Sequence, residues 1–259
     1  MSILDKIVAH KKEEIEFEKR RISVEELMDR KHFHRKTLNL AWHLKENPFG
    51  IIAEFKRKSP SKSDINIGAK VEDIVPIYKA CGAACVSVLT DSHFFGGSLE
   101  DLKNARKFGL PLLRKDFILD PYQLYQAKAF GADAVLLIAN ILERNQIKDL
   151  TDYAKDLGLQ VLLEFYGGED FSKYYNKVKM VGINNRNLNT FEVDYQHAIR
   201  MRNELPTEVL SVAESAIYSP EIYLELKKNG FDAFLMGEYF MKTNQPEETF
   251  KNFIQAIQP

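Results

Sequence analysis

The chain has 259 residues, and a length of about 250 residues is typical of a single α/β barrel domain. Hydrophobic residues make up 45% of it and charged residues 28%, which is typical of a globular chain with a full core. The net charge is −1, with no basic block and no apolar run of transmembrane length, which argues against a nucleic-acid-binding or membrane protein. Without a signal-peptide pattern, and with Cys81 and Cys85 expected as reduced, packed side chains, we expect a cytoplasmic protein.

Residues 1–49 predict a helical N-terminal extension. Ser2, with Asp5 three positions later, predicts a helix cap, and an apolar stripe follows it. The charged run over residues 11–21 is most simply a solvated helix face, and Ser23 predicts the start of a second short helix. We expect this extension to pack across one end of the main domain.

From Gly50 onward, short apolar runs alternate with helical patterns. The eight apolar runs cover residues 51–55, 86–89, 111–113, 134–138, 161–163, 180–183, 209–213 and 233–236. The helical segments cover residues 69–80, 98–107, 121–129, 143–156, 169–178, 194–204, 220–228 and 246–257. This alternation predicts a parallel sheet, and eight such units predict a closed (β/α)8 barrel over residues 50–259. The alternative is a doubly wound open sheet, which is disfavoured because no glycine-rich phosphate fingerprint follows the first run.

Polar side chains follow the apolar runs, at the carboxyl ends of the predicted strands where the active sites of barrels lie. In chain order they include Glu54, Lys56, Thr90, Asp91, Arg114, Lys115, Asp116, Asn140, Glu164, Asn184, Arg186, Glu214, Ser215, Gly237 and Glu238. Glu54 and Lys56 lie two apart on a strand and point the same way, so they must be paired with each other or used in a reaction. We interpret Arg114 and Asp116 as a structural ion pair. As a whole, the set predicts an active site, because ionisable groups near a barrel core need partners or a task.

Two features of this rim indicate the class of substrate and of reaction. The loops after the last two strands often bind phosphate in this fold, and Ser215 and the Gly237-Glu238 backbone are placed for that role. Lysines and acids elsewhere on the rim fit general acid–base catalysis on a carbonyl or hydroxyl group. The spacing of Cys, His and Asp residues implies no metal, and a Schiff base on Lys115 is an open alternative.

Motifs at these strand ends carry a resemblance to a known family. The most specific covers residues 52–61, Ile-Ala-Glu-Phe-Lys-Arg-Lys-Ser-Pro-Ser. Supporting motifs cover residues 3–9, 88–91, 95–98, 113–117, 182–188, 212–215 and 235–238. In this order they resemble the indole-3-glycerol-phosphate synthase family of tryptophan biosynthesis. The resemblance implies a (β/α)8 barrel with an N-terminal helical extension, here divided between residues 49 and 50, and no cofactor.

The resemblance also implies a reaction and roles for residues. The family's enzymes are lyases that close an indole ring in 1-(2-carboxyphenylamino)-1-deoxyribulose 5-phosphate, with loss of CO2 and water. Lys115 matches the general acid for ring closure. Glu164 matches a second acid–base residue, and Glu54 and Lys56 match an assisting pair, with the later proton transfers left open among these three. The residues that we assign to substrate binding are Ser59, Phe95, Phe117, Asn184, Arg186, Glu214, Ser215, Gly237 and Glu238, with Phe95 and Phe117 as aromatic walls beside the anthranilate ring.

Two positions depart from the family's pattern. Ala216 stands where glycine is expected after Glu-Ser, and it is costly there if the backbone must adopt a positive φ. Tyr166 stands where histidine is more usual, and we expect it to alter the surroundings of Glu164.

Further expectations concern partners and alternatives. We expect no nucleic-acid or membrane partner, a monomer or weak homodimer, and a monofunctional enzyme because the chain ends after its eighth helix. We also expect the loop Ser59-Pro60-Ser61 to act as a mobile cover. Two other functions stay open: a Schiff-base aldolase acting on a sugar phosphate, and a barrel that binds a sugar phosphate without turnover.

Overall fold

The strands close into one barrel in the computed structural model, which describes residues 2–187 and 192–258. They are β1 (Ile51–Phe55), β2 (Cys85–Leu89), β3 (Leu112–Lys115), β4 (Ala134–Ile138), β5 (Gln160–Phe165), β6 (Met180–Asn184), β7 (Leu210–Glu214) and β8 (Ala233–Met236). All neighbouring pairs are parallel, and β1 also pairs with β8. The predicted (β/α)8 barrel is confirmed and the open sheet is excluded. The last residue of the 182–188 motif, Leu188, and the C-terminal Pro259 lie outside the described residues.

Helices precede the barrel and connect its strands. They are α1 (Ile3–Arg21), α2 (Val24–Met28), α3 (Leu40–Glu46), α4 (Val71–Ala80), α5 (Leu99–Ala105), α6 (Pro121–Ala129), α7 (Arg144–Asp156), α8 (Tyr195–Arg202), α9 (Pro220–Lys228), α10 (Glu238–Met241) and α11 (Pro246–Ile257). Ser2 and Asp5 form the predicted capping box of α1, and Ser23 caps α2. The short α10 was not predicted from the sequence.

The predicted helix over residues 169–178 is wrong. Only Gly168–Lys173 is helical there, and it is a 3-10 turn. The Asp170 carboxylate accepts hydrogen bonds from the backbone N–H groups of Tyr166 at 2.8 Å and Gly167 at 3.2 Å. Such local bonds offer the backbone an alternative to an α-helix, so the chain turns instead of continuing the helix.

The apolar runs form strands that are covered on both faces. Every residue of β1, β2, β4, β6, β7 and β8 is buried. One apolar cluster fills the barrel and a second lies between the strands and the outer helices. Near-continuous apolar runs are the pattern expected of parallel strands buried in this way.

The N-terminal extension contacts both ends of the barrel, which corrects the expectation that it covers one end. At the carboxyl ends of the strands, α1 contributes Leu4 and Ile7 to the inner apolar cluster. At the amino ends, α3 contributes Leu40, whose carbonyl oxygen accepts a bond from Cys85 Sγ at 3.8 Å. The extension therefore closes the base of the barrel and also reaches its active-site face.

The charged run on α1 is not a uniformly solvated face. Lys11 within this run is fully buried, whereas the neighbouring Lys12 is exposed. Its ammonium forms ion pairs with two carboxylates of the barrel, so the expectation of a solvated face is wrong at this position.

Cys81 and Cys85 are buried free thiols, as predicted. No helix within residues 2–187 and 192–258 is long and apolar enough to cross a membrane. The division into an extension over residues 1–49 and a catalytic barrel over 50–259 remains our proposal.

Candidate active site

Most of the strand-end residues singled out in the sequence gather around one pocket at the carboxyl ends of the strands, although Thr90, Arg114 and Asn140 do not line it. Every residue assigned to catalysis or substrate binding lines this pocket except Glu214. Glu214 ends β7 below the pocket surface and is completely buried. It is still part of the same cluster, because its Oε2 lies 2.9 Å from Lys115 Nζ.

Lys115 is the centre of the buried charge cluster. It ends β3, and its ammonium also donates a hydrogen bond to Glu164 Oε2 at 3.1 Å. Glu164 accepts a second bond at Oε1 from Asn184 Nδ2 at 3.1 Å, and both side chains are buried. One cation therefore serves two carboxyl groups, and ionising both of them would leave one negative charge in excess in a nearly dry environment.

Burial and the shared cation shift the pKa values of all three ionisable groups. Burial and the nearby negative charge of Glu164 raise the pKa of Glu214 to about 8. Burial alone would raise the pKa of Glu164, but Lys115 and the Asn184 amide outweigh it and lower that pKa. Burial opposes the charge on Lys115, yet the carboxylates of Glu164 and Glu214 raise its pKa well above the usual value. The cluster therefore holds a fixed ammonium, an ionised Glu164 and a proton on Glu214 near neutral pH.

The opening strand supplies a second ion pair to the same pocket. Lys56 Nζ lies 2.6 Å from Glu54 Oε1, which is the pairing that their spacing predicts. Glu54 has room because Gly237 faces it: a Cβ atom on Gly237 would lie 2.8 Å from Glu54 Cβ. A small residue after β8 is thus needed to accommodate the carboxylate at the end of β1.

A glycine also makes room for Glu214. A Cβ atom on Gly182, in the neighbouring strand β6, would lie 1.9 Å from Glu214 Oε1. The sequence shows this glycine but does not show which side chain occupies the space above it.

The turn after β7 has the backbone that the sequence analysis anticipated. Ser215 has φ 66° and Ala216 has φ 58°, both in the left-handed region. Asn185 holds this turn, because its Nδ2 donates to the Ser215 carbonyl oxygen at 2.8 Å. Ala216 therefore occupies a conformation that glycine would adopt at lower cost.

Glu238 connects three loops across the rim. Its carboxylate forms an ion pair with Lys62 from the loop after β1, and Arg186 Nη2 lies 3.9 Å from its Oε2. Arg186 also donates to the Tyr218 hydroxyl at 2.5 Å. Tyr218 lines the pocket and was not identified from the sequence.

Aromatic and aliphatic side chains form an apolar wall of the pocket. The rings of Phe95 and Phe117 lie with their centroids 5.9 Å apart. Ile3, Leu4 and Ile7 of α1 also line the pocket. Their apolar stripe is visible in the sequence, but nothing in it indicates that the stripe faces the active site.

Tyr166 makes its contacts away from the pocket. Its carbonyl oxygen lies 2.8 Å from His197 Nε2, and the two rings lie 5.8 Å apart. Tyr166 is not among the residues that line the pocket, so its side chain belongs to the packing of β5 against α8.

A closed (β/α)8 barrel with lysines and carboxylates at the carboxyl ends of its strands defines a TIM-barrel enzyme with an acid–base site. The family model described as indole-3-glycerol phosphate synthase matches residues 4–253. The chain therefore belongs to the indole-3-glycerol phosphate synthase family.

Individual relatives agree with this membership. An indole-3-glycerol phosphate synthase from Bacteroides thetaiotaomicron is 48% identical over 257 residues, covering 99% of both chains. One from Salinibacter ruber is 42% identical over 252 residues, covering 96% of this chain and 93% of the relative.

Solved structures with lower sequence identity share the fold. A chain of the tryptophan synthase a2b2 complex from Pyrococcus furiosus has a TM-score of 0.58 and 14% identity, covering 80% of this chain and 96% of its own length. The N-acetylmannosamine-6-phosphate 2-epimerase from Clostridium perfringens has a TM-score of 0.60 and 13% identity, covering 86% of this chain and 98% of its own length.

Proposed function

We propose that Lys115, Glu164, Glu54 and Lys56 carry the acid–base chemistry of this family's reaction in this chain. As a family member, the chain is a carboxy-lyase of tryptophan biosynthesis acting on a phosphorylated small molecule. It converts 1-(2-carboxyphenylamino)-1-deoxyribulose 5-phosphate to indole-3-glycerol phosphate, with loss of CO2 and water. The observation that supports the assignment most directly is the Lys115 ammonium, held between Glu164 and Glu214 at 3.1 and 2.9 Å.

Lys115 is the acid for ring closure. When the aromatic carbon that bears the carboxylate attacks the ketone, the ketone oxygen gains negative charge and must meet a cation or an acid. The raised pKa of Lys115 keeps it as an ammonium at neutral pH, so it can stabilise this oxygen and donate a proton to it. Departure of CO2 then restores the aromatic ring, because the cyclised ring accepts the electron pair of the breaking bond.

Dehydration of the new ring requires a proton donor and a proton acceptor from the protein. The hydroxyl group leaves as water, and the neighbouring carbon beside the nitrogen loses a proton to complete the indole. The cations near the pocket floor are Lys115 and Lys56, and the ionised carboxylate beside Lys115 is Glu164. We assign the proton donors to the lysines and the proton acceptors to Glu164 and Glu54.

The remaining assigned residues bind the two ends of the substrate. We assign Phe95 and Phe117 to the anthranilate ring and Ser215 to the phosphate, because all three line the pocket and the loops after the last two strands of this fold often bind phosphate. The other substrate-binding residues in this proposal are Ser59, Asn184, Arg186, Glu214, Gly237 and Glu238.

Replacing Lys115 tests the assigned acid. Lys115→Met should lower kcat by about 10²- to 10⁴-fold, because it removes the proton donor, while circular dichroism shows a folded barrel. Indole fluorescence measures the product directly. The control is Lys155→Met on the exposed face of α7, which should retain full activity. Near-normal turnover by folded Lys115→Met would contradict the role of Lys115.

A Schiff-base aldolase is the second candidate, because a buried lysine lies in the pocket. A Schiff base requires a neutral amine, whereas the carboxylates around Lys115 raise its pKa. Borohydride added with the substrate should therefore trap no covalent adduct. A trapped adduct on Lys115 would favour the aldolase mechanism instead.

The loop after β1 is proposed to cover the bound substrate. Ser59 and Lys62 close a tight turn through backbone bonds of 2.7 and 3.0 Å, and Lys62 reaches Glu238 across the rim. Trypsin cleavage after Lys62 should slow when inorganic phosphate, the probe for the bound substrate's phosphate group, is present. Equal cleavage rates with and without inorganic phosphate would contradict a covering role.

We further propose that the enzyme acts in the cytoplasm as a monomer or weak homodimer. Sedimentation across a tenfold range of concentration should give a mass at or near that of one chain, and a stable dimer throughout would overturn this.

A further inference from the structure

Lys11 joins the N-terminal extension to two strand ends beside the active site. Its Nζ lies 2.9 Å from Asp91 Oδ2, after β2, and 3.0 Å from Asp116 Oδ1, after β3. All three side chains are completely buried. A lysine side chain is rarely buried in this way unless its ammonium is paired with carboxylates.

Each of the two carboxylates also accepts a hydrogen bond from the backbone of a segment that carries an aromatic wall of the pocket. Asp91 Oδ1 accepts a bond from the Phe94 N–H at 2.7 Å, and Asp116 Oδ1 accepts one from the Phe117 N–H at 2.8 Å. Phe94 directly precedes Phe95, whose ring lies 5.9 Å from that of Phe117. One ammonium on α1 thus holds the backbone on both sides of the aromatic gap.

The other charged groups around Lys11 keep this arrangement ionised. Glu14, on the next turn of α1, lies 3.0 Å from Lys11 Nζ. Arg114 Nη2 lies 2.9 Å from Asp116 Oδ2. Burial alone would raise the pKa of Asp116, but Lys11 and Arg114 lower it well below its usual range. The carboxylate therefore stays charged and dependent on its cations.

We propose that Lys11 is a positioning residue of the active site, which fixes the two aromatic walls through the carboxylates of Asp91 and Asp116. The N-terminal extension then helps to set the width of the slot for the anthranilate ring, in addition to stabilising the barrel. This inference rests on the proposed placement of that ring between Phe95 and Phe117.

Lys11→Met is the central test, because methionine fills similar space without the charge. We expect kcat/KM to fall by about 10- to 100-fold, mainly through KM, since small displacements of positioning groups have effects of this size. The inhibition constant of inorganic phosphate should stay within twofold of wild type, because phosphate binds across the rim beside Ser215. The matched control is Lys12→Met, the exposed neighbour on the same helix, which should behave as wild type.

The pH profile separates positioning from general destabilisation. Without the Lys11 ammonium, the Asp116 carboxylate lies near the carboxylates of Asp91 and Glu14 with only Arg114 as its cation, so the pKa of Asp116 rises from its lowered value. Protonation at lower pH then removes the repulsion, and the ratio of variant to wild-type kcat/KM should increase from pH 8 to pH 6. A ratio that does not change with pH would contradict the proposal.

A second variant keeps the test decisive if Lys11→Met does not fold. Lys11→Met combined with Asp91→Asn removes one buried anion, and the asparagine oxygen can still accept the Phe94 N–H. We expect a folded enzyme with a KM several-fold above wild type and no pH dependence of the ratio. A folded double variant with wild-type KM, or Lys11→Met with the kinetics of Lys12→Met, would overturn the inference.

A third variant distinguishes this inference from the proposed function. Phe117→Ala should raise KM if the ring lies between the aromatic walls. A raised KM in Phe117→Ala with a normal KM in Lys11→Met would refute the positioning role of Lys11 and leave the proposed binding of the ring intact. A normal KM in Phe117→Ala would instead refute the proposed binding of the ring.

Discussion

Glu214 couples the protonation of the active site to the stability of the fold. Its pKa is raised to about 8 in the folded protein, against an ordinary value of 4.5. Between these two pH values the native state holds a proton that the unfolded state releases, so stability falls as the pH rises from about 4.5 to about 8. Glu164 has a lowered pKa, so its contribution changes only below this window.

Glu214→Gln should therefore flatten the pH dependence of stability. Between pH 5 and pH 8 the free energy of unfolding of the wild type should fall by up to about 1.4 kcal/mol per pH unit more than that of the variant. Only the wild type has a carboxyl group that is protonated in the native state and loses its proton on unfolding. Urea unfolding at the two pH values measures the difference. Glu248→Gln, at an exposed position of α11, serves as the control and should follow the wild type. Parallel curves for the wild type and Glu214→Gln would contradict the raised pKa.

Ala216 is a second residue whose cost can be measured. A non-glycine residue with φ 58° carries roughly 1–2 kcal/mol of strain, of which glycine's greater freedom in the unfolded chain cancels about 0.4–1 kcal/mol. Ala216→Gly should thus stabilise the protein by about 0.5–1 kcal/mol. Ala198→Gly, within α8, should do the opposite, by about 1 kcal/mol. Thermal unfolding of both variants gives the signs, and destabilisation by Ala216→Gly would show that the turn carries no such strain.

At the scale of single residues, the sequence predicts positions better than partners. Lys115, Glu164 and the Glu54–Lys56 pair follow from the rule that polar groups at strand ends meet on one rim. That Lys115 shares its ammonium between β5 and β7 does not follow, because it depends on side-chain reach across the barrel. Lys11 shows the same limit: a lysine in a charged run gives no sign that two distant aspartates surround it.

At the scale of elements, the register of β5, β6 and β7 places a small residue between two carboxylates. Glu164 of β5 pairs with Gly182 of β6, and Gly182 pairs with Val212 of β7. The missing side chain at Gly182 leaves the space in which Glu214 Oε1 lies. The strand sequence thus provides both the acid and the gap beside it.

Gly182→Ala should disturb the cluster through this gap. The added methyl group would displace the Glu214 carboxylate from Lys115, lowering kcat/KM and reducing stability by about 1–3 kcal/mol. Gly68→Ala is the matched control, since a Cβ atom at Gly68 meets nothing within 4 Å and should change neither quantity. The kinetics and urea unfolding of both variants test this, and unchanged activity in Gly182→Ala would mean that Glu214 can move without consequence.

The elements themselves were largely predictable, for a physical reason. Strands buried on both faces appear as short apolar runs, and all eight were located to within two residues at either end. The segment over residues 169–178 failed because the Asp170 carboxylate binds nearby backbone N–H groups, which a periodicity pattern does not register.

At the scale of the whole molecule, buried charges fasten the extension at both ends of the barrel. Lys11 provides the contact at the carboxyl ends of the strands, and Asp133, directly before β4, provides the one at the amino ends. The number of strands predicted the closure of the barrel. The two-ended path of the extension was not predictable, because an apolar stripe marks a buried helix face without indicating the surface that covers it.

Asp133 is satisfied by four donors. Its Oδ1 accepts bonds from Arg35 Nη1 at 2.8 Å and the Leu38 N–H at 2.7 Å. Its Oδ2 accepts bonds from Arg106 Nη1 at 2.5 Å and the Leu112 N–H at 2.8 Å. The carboxylate is fully buried, so losing its charge leaves two guanidinium groups without their counter-ion.

Asp133→Asn should therefore destabilise the protein without altering its chemistry. We expect a loss of about 3–5 kcal/mol in the free energy of unfolding, the range found when one partner of a buried ion pair is removed. The folded fraction should keep wild-type kcat and KM, because the amino ends of the strands lie opposite the active site. Asp149→Asn, whose side chain is 64% exposed on α7, should change neither quantity. Unfolding and kinetics measured on the same samples test this prediction. A fall in kcat without a loss of stability would place Asp133 in the catalytic machinery. A loss of stability with unchanged kcat and KM, in contrast to the raised KM expected for Lys11→Met, would show that Asp133 anchors the extension structurally whereas Lys11 also affects function.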